Sequence, residues 1–172
     1  MIHHHIYNVP NFNQHKQNLI DLIYKIPQNP INNIGDKIFH QDYGLPKTMK
    51  REYSDYFQKN IFNEFASSIC SFFGSEGVEL SNIWFQVYKK GDYHHKHSHP
   101  DTNLTNVFYI NLPNPDLKTE IFLPKNDTFT LDVCEGDILT FPGYYAHKSP
   151  VNIFNEDKII ISFNMNTVWR KY

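Results

Sequence analysis

Ile83-Trp84-Phe85-Gln86-Val87-Tyr88, followed at once by Lys89-Lys90-Gly91-Asp92, reads as a strand that runs into a turn. Its β-branched and aromatic side chains suit a pleated surface, and a charged tetrapeptide containing glycine ends the pattern. The chain after Gly77 repeats this alternation. Asn106 to Leu112 is a second strand closed by Pro113, Glu120 to Leu123 and Phe129 to Val133 are shorter ones, Asp137 to Phe141 follows the Glu135-Gly136 turn, and Lys158 to Asn166 is a last long strand. Short strands at near-regular spacing, with turn signals between them, predict an all-β sandwich or barrel over residues 81–172.

Upstream the period changes from two to between three and four. Gln17 to Ile26 carries Leu19, Ile20, Leu22, Ile23 and Ile26, a helical spacing that stops before Pro27. From Tyr53 to Phe73 the apolar positions again recur at three and four, which predicts a long helix with Gly74 as its stop. Between them, Gln28 to Lys50 reads as loop with one short strand at Lys37-Ile38-Phe39. Helices first and strands afterwards make an α+β arrangement. In it, a mostly helical segment 1–80 braces the outside of a β-barrel core 81–172, all within a single 172-residue domain.

Composition narrows the function. A formal net charge of −2 and the lack of a Lys/Arg cluster argue against a nucleic-acid surface. No apolar run approaches the roughly 18–20 residues needed to span a bilayer, and Met1 to Ile6 lacks the basic and apolar regions of a signal peptide. Two cysteines are too few for a disulfide framework. The expectation is a soluble cytoplasmic protein without membrane or nucleic-acid partners. Usage skewed to Asn, Ile, Lys, Tyr and Phe fits an AT-rich bacterial or phage genome.

Chemistry concentrates in one place. Tyr93-His94-His95-Lys96-His97-Ser98-His99-Pro100 holds four of the ten histidines, and His147 answers it fifty residues later. Imidazole is the commonest side-chain metal ligand. His97 and His99 lie two apart, so on an extended segment both rings face the same side. His147 follows a strand running into the Pro142-Gly143 turn, where a barrel returns a distant ligand to the first pair. Three ligands on one face leave positions open for substrate and dioxygen, as iron oxygenases require. His94 and His95 read as solvated loop residues beside the pair or, alternatively, as a lid over the metal that touches substrate, and Tyr144 and Tyr145 flank the distal histidine.

The stretch from Trp84 to Asn164 resembles the Fe(II)- and 2-oxoglutarate-dependent dioxygenases, built on a double-stranded β-helix, a jelly-roll or cupin-like barrel. The resemblance is carried by His97-Ser98-His99-Pro100, Gly136-Asp137-Ile138-Leu139-Thr140-Phe141-Pro142, His147, Lys158 and Ser162-Phe163-Asn164. It is closest to small phage and marine-bacterial members and extends to the prolyl hydroxylases. In the wider superfamily the first ligand pair is H-x-D, and this chain offers two registers: His97, His99 and His147, or His99, Asp101 and His147. Tyr88-Lys89-Lys90-Gly91 matches the family's Y-x-x-G turn if the first ligand is His97.

The resemblance also implies a cosubstrate pocket. The family places a cation about ten residues beyond the distal histidine, and here Lys158 opens the apolar strand Ile159-Ile160-Ile161. A lysine gives a point charge rather than a fork, so a hydroxyl partner is expected, with Tyr88 and Tyr109 as candidates. The implied activity is hydroxylation of a peptidyl or small-molecule substrate, with Fe(II), 2-oxoglutarate and ascorbate as reductant, releasing succinate and CO2. The rivals are a cupin-like three-histidine metal dioxygenase without 2-oxoglutarate and a non-catalytic β-barrel binding module.

Overall fold

The two longest strands set the architecture, because the inner part of each, Trp84–Tyr88 and Lys158–Met165, is buried on both faces. β5 (Gly77–Tyr88) pairs antiparallel with β12 (Lys158–Val168), with Lys158 opposite Tyr88 and Ser162 opposite Trp84. Along β12, Ile159, Ile161, Phe163 and Met165 face one hydrophobic cluster, while Ile160 faces another. The same alternation separates Phe85 and Val87 from Tyr88 on β5, and Phe108 and Ile110 from Val107 and Tyr109 on β7 (Leu104–Asn111). A strand buried on both sides shows no polar face to solvent, hence the nearly unbroken apolar runs.

The computed structural model describes residues 3–123 and 127–169. Among these, two six-stranded antiparallel sheets face each other. One contains β1 (His5–Asn8), β10 (Asp137–Pro142), β7, β12, β5 and β4 (His40–Gln41), in that order. The other runs β2 (Ile31–Asn32), β3 (Asp36–Ile38), β6 (Tyr93–His97), β11 (His147–Ser149), β8 (Glu120–Phe122) and β9 (Thr128–Phe129). This is the double-stranded β-helix expected from the sequence. The cluster around Val107, Tyr109, Ile121, Phe141 and Ile160 fills the space between the sheets.

Helices cover the outer face of the first sheet. α1 (Phe12–Tyr24) starts five residues before the sequence expectation, because Phe12 is itself buried and packs edge-on to Phe108. The expected long helix is continuous but not uniform: α2 (Glu52–Phe57) passes through a π turn over Gln58–Phe62 into α3 (Asn63–Phe73). The reason lies in the spacing of its buried residues, Tyr53, Phe57, Ile61, Phe65 and Ile69. A strict four-residue step drifts about 40° per step around an α-helix. One wider turn takes up that drift and keeps all five side chains on the sheet. Gly74 ends the helix at φ +72°, a left-handed cap that glycine adopts without strain.

The N-terminal segment does more than brace. β1 and β4 lie on the two edges of the first sheet, and β2 and β3 extend the second beside β6. The strand expected at Phe129 to Val133 is shorter, since the chain bends where Val133 N–H donates to Leu131 C=O and drops Val133 into the interior. No described helix is long and apolar enough to cross a membrane.

Candidate metal and cosubstrate site

The three histidines meet inside the barrel. His97 ends β6 and His147 begins β11, and the two are direct cross-strand partners, with ring centroids 4.4 Å apart. His99 lies two residues beyond His97, its ring 5.1 Å from that of His97 and 5.3 Å from that of His147. One ligand nitrogen from each falls within 4.8 Å of the others. The backbone holds His99 in place: its N–H donates to Gly143 C=O at 2.8 Å, and a Cβ on Gly143 would sit 2.6 Å from His99 C=O. Only glycine permits that approach.

Hydrogen bonds fix the tautomers. Nδ1 of His97 lies 2.8 Å from His95 C=O and Nδ1 of His147 lies 3.2 Å from Tyr145 C=O. A carbonyl can only accept, so both Nδ1 atoms carry the proton and each Nε2 keeps a lone pair for a cation. Nε2 of His99 is buried without a hydrogen-bond partner. Burial holds all three imidazoles neutral. His99 is pushed down to about 4 by desolvation and then by His97, and His97 and His147 are lowered mainly by desolvation. Neutral rings with convergent lone pairs fit a divalent first-row metal. Asp101 is exposed on the turn after Pro100 and contributes no atom to the cluster.

Ser149 and Tyr88 line the same cavity as His147, and behind them lies Lys158. This lysine is fully buried, its Nζ donates to Ser149 Oγ at 2.8 Å, and it stands 5.3 Å from the centre of the Tyr88 ring. Desolvation pushes its pKa down to about 7, opposed by the charge of Glu120. The Tyr88 hydroxyl is buried near Ser149 without a well-formed hydrogen bond, and burial raises its pKa, opposed by Ser149. A buried cation beside an unsatisfied hydroxyl has the complementarity of a carboxylate site. Tyr109 stands one layer back: its hydroxyl donates to Thr119 Oγ1 and accepts from Thr119 N–H, and Thr119 rather than Tyr109 lines the cavity.

Several lining residues escape a sequence reading. Ser149 shares its strand face with His147, a spacing that could have identified it. Gln86 and Ser162 belong to the inward positions of β5 and β12 and are distinguishable only once the faces are assigned. His94 is no loop bystander: it stacks on His97 with centroids 4.0 Å apart. A bulge explains this. His147 opposes His97 while Ser149 opposes His94, so two residues of β6, His95 and Lys96, stand opposite the single Lys148 of β11 and His94 turns to the same side as His97. A wider cleft, about 850 Å³ including its open mouth, adjoins His97 and His99 and is bounded by Tyr43, Trp84, His94 and His95.

No protein-family profile matches this chain. No curated protein matches it in sequence either. Solved structures do match its fold. A prolyl-4-hydroxylase from Pseudomonas putida superposes with a TM-score of 0.66 over 99% of this chain and 95% of its own, at 13% identity. The viral collagen prolyl hydroxylase of Paramecium bursaria Chlorella virus-1, solved with 2-oxoglutarate, gives 0.59 over 96% of both chains at 18% identity. A 2OG-Fe(II) oxygenase family member from Burkholderia pseudomallei gives 0.68 over 96% of this chain and 88% of its own, at 12% identity. The chain therefore has the fold of the 2-oxoglutarate- and Fe(II)-dependent oxygenases along nearly its whole length.

Proposed function

We propose that this protein is a non-haem Fe(II)- and 2-oxoglutarate-dependent dioxygenase that hydroxylates a peptidyl or small-molecule substrate. The observation that carries the reading is the pairing of three convergent neutral imidazoles with a buried lysine inside one barrel. His97, His99 and His147 would hold the metal. Asp101 is set aside because it is exposed and outside the donor cluster. Lys158 would pair with the distal carboxylate of the cosubstrate, Ser149 would orient the ammonium, and Tyr88 would donate its unsatisfied hydroxyl to the same carboxylate. Tyr109 would support the pocket through Thr119.

Bound Fe(II) with 2-oxoglutarate supplies the oxidising chemistry, with dioxygen consumed and succinate and CO2 released. The chain's own part is positional. Backbone carbonyls of His95 and Tyr145 aim two ligand nitrogens inward, and Phe141, packed at 5.0 Å against His147, keeps water from that side. Substrate would enter by the cleft beside Tyr43 and Trp84, whose rings meet at 5.5 Å. A prolyl hydroxylase from Trichoplax adhaerens that shares the fold was solved with a peptide fragment, which supports, by analogy, a peptidyl substrate.

The test is succinate formation from 2-oxoglutarate by protein loaded with Fe(II), with and without ascorbate. Wild type should form succinate even without a prime substrate, by uncoupled turnover, and His147→Ala should reduce this by at least about 100-fold. Turnover that survives His147→Ala refutes the reading.

A further inference from the structure

A second group of donors sits on the far side of His94. Asp36 Oδ1 lies 2.6 Å from His95 Nδ1 and 3.6 Å from His94 Nε2, and one atom from each of the three residues falls within 4.8 Å of the others. Asp36 arrives from β3, which pairs with β6 at His94, so the sheet order itself brings the carboxylate to the two rings. The bulge in β6 turns His94 toward the interior. The carboxylate is already oriented, because the same Oδ1 accepts the His95 backbone N–H at 3.0 Å.

We infer that Asp36, His94 and His95 form a second divalent-cation site, separate from His97, His99 and His147, in the wall of the cleft. Two imidazoles and one carboxylate favour a borderline ion such as zinc over calcium or magnesium. With bonds of about 2.0–2.2 Å, tetrahedral donors stand about 3.3 Å apart, so the 2.6 and 3.6 Å separations need side-chain shifts of less than about 1 Å. His95 is half exposed and can make such a shift. On the other side of its ring, Nδ1 of His94 meets Gln86 Nε2 at 3.0 Å. A half-turn of that amide lets His94 Nδ1 donate to Gln86 Oε1, leaving Nε2 for the ion and giving the ligand a buried partner. The cation's remaining positions open on the cleft that also borders His97 and His99.

The experiment counts bound metal. Chelator-stripped protein, with His3 and His4 replaced by alanine to remove terminal binding, is titrated with Zn(II) by calorimetry and with Co(II) by visible absorption. Two equivalents are expected. Asp36→Asn and His95→Gln should each weaken one of them more than about 100-fold and leave the other, and His147→Ala should remove the opposite one. Metal-free thermal melts check that each variant folds, and His95→Gln, at a half-exposed position, decides the matter if Asp36→Asn does not fold. Wild-type stoichiometry that both Asp36→Asn and His95→Gln retain overturns the inference. A single equivalent, lost in His95→Gln but kept in His147→Ala, would support this second site and refute the three-histidine metal site proposed above.

Discussion

Replacing Lys158 by methionine should stabilise the fold while abolishing cosubstrate binding. Lys158 is fully buried and its pKa is pushed from the ordinary 10.5 to about 7 by desolvation. A shift of that size corresponds to roughly 5 kcal/mol, at about 1.4 kcal/mol per pKa unit. The sign follows from proton counts. Between about pH 7 and 10.5 the unfolded chain holds a proton that the folded chain has lost, so stability rises with pH through that window. The penalty is complete below about pH 7 and gone above about 10.5. Methionine has a similar length and no charge, so it removes the penalty but leaves Ser149 Oγ without its donor, a loss of about 1–2 kcal/mol.

The expected net gain is therefore about 3–4 kcal/mol at pH 6, or roughly 8–11 °C in melting temperature for a chain of this size. It should shrink steadily toward pH 10. Thermal melts of wild type and Lys158→Met at pH 6, 8 and 10, followed by circular dichroism, isolate the lysine because every other titrating group is common to both. Anaerobic calorimetry of 2-oxoglutarate binding to the Fe(II) form measures the functional cost. A variant less stable than wild type at pH 6 would refute the reasoning, as would a stability difference that does not change with pH. Either outcome would mean that the burial of the charge is already compensated in the folded protein.

Two further substitutions probe the supports of the site. Gly143→Ala places a Cβ 2.5–2.6 Å from the carbonyls of Thr102 and His99; it should cost about 1–3 kcal/mol and weaken Co(II) binding by displacing His99, whereas Tyr144→Ala, exposed next to it, should change neither melting nor metal absorption. Asp42→Asn removes a buried carboxylate that accepts from Arg51 at 2.7 Å, from the Tyr53 hydroxyl at 2.7 Å and from Phe85 N–H at 2.9 Å; a loss of about 3–5 kcal/mol in urea denaturation is expected, with the metal-site absorption unchanged in the folded fraction.

The parts of the molecule legible in the sequence are those where one physical pattern dominates. Strand β12 is readable because a run of isoleucines bounded by Asp157 and Thr167 has no competing explanation. The helix from Glu52 to Phe73 is readable because its apolar step persists through the π turn. By contrast, β1, β2 and β4 are two to four residues long and owe their conformation to the strands they pair with, so no local pattern announces them. The site divides in the same way. Histidines two apart, answered by a distant one, stand out by residue type. Asp36 and Gln86 do not, because their neighbours are chosen by sheet order. His94 was hidden for a different reason: the bulge changes its face, and alternation counted along the sequence gives the wrong side.

A ligand set of three imidazoles, as proposed above in place of an H-x-D pair, would have an electrostatic consequence. A carboxylate ligand would leave a divalent ion with one net positive charge, whereas neutral His97, His99 and His147 leave two, and Lys158 in its charged form adds a third nearby. The cosubstrate is a dianion whose two ends would meet these two centres. Without it, a bound metal and the ammonium would oppose each other; with it, each would be neutralised in part. On the proposed function, metal and 2-oxoglutarate would therefore be coupled through charge, and by linkage each would raise the affinity for the other by the same factor. Neutral Lys158, the form that burial favours above about pH 7, would relieve the opposition and relax the coupling. On the proposed function, the depressed lysine pKa and a carboxylate-free ligand set would belong to one arrangement, in which the site limits its own charge until the dianion arrives.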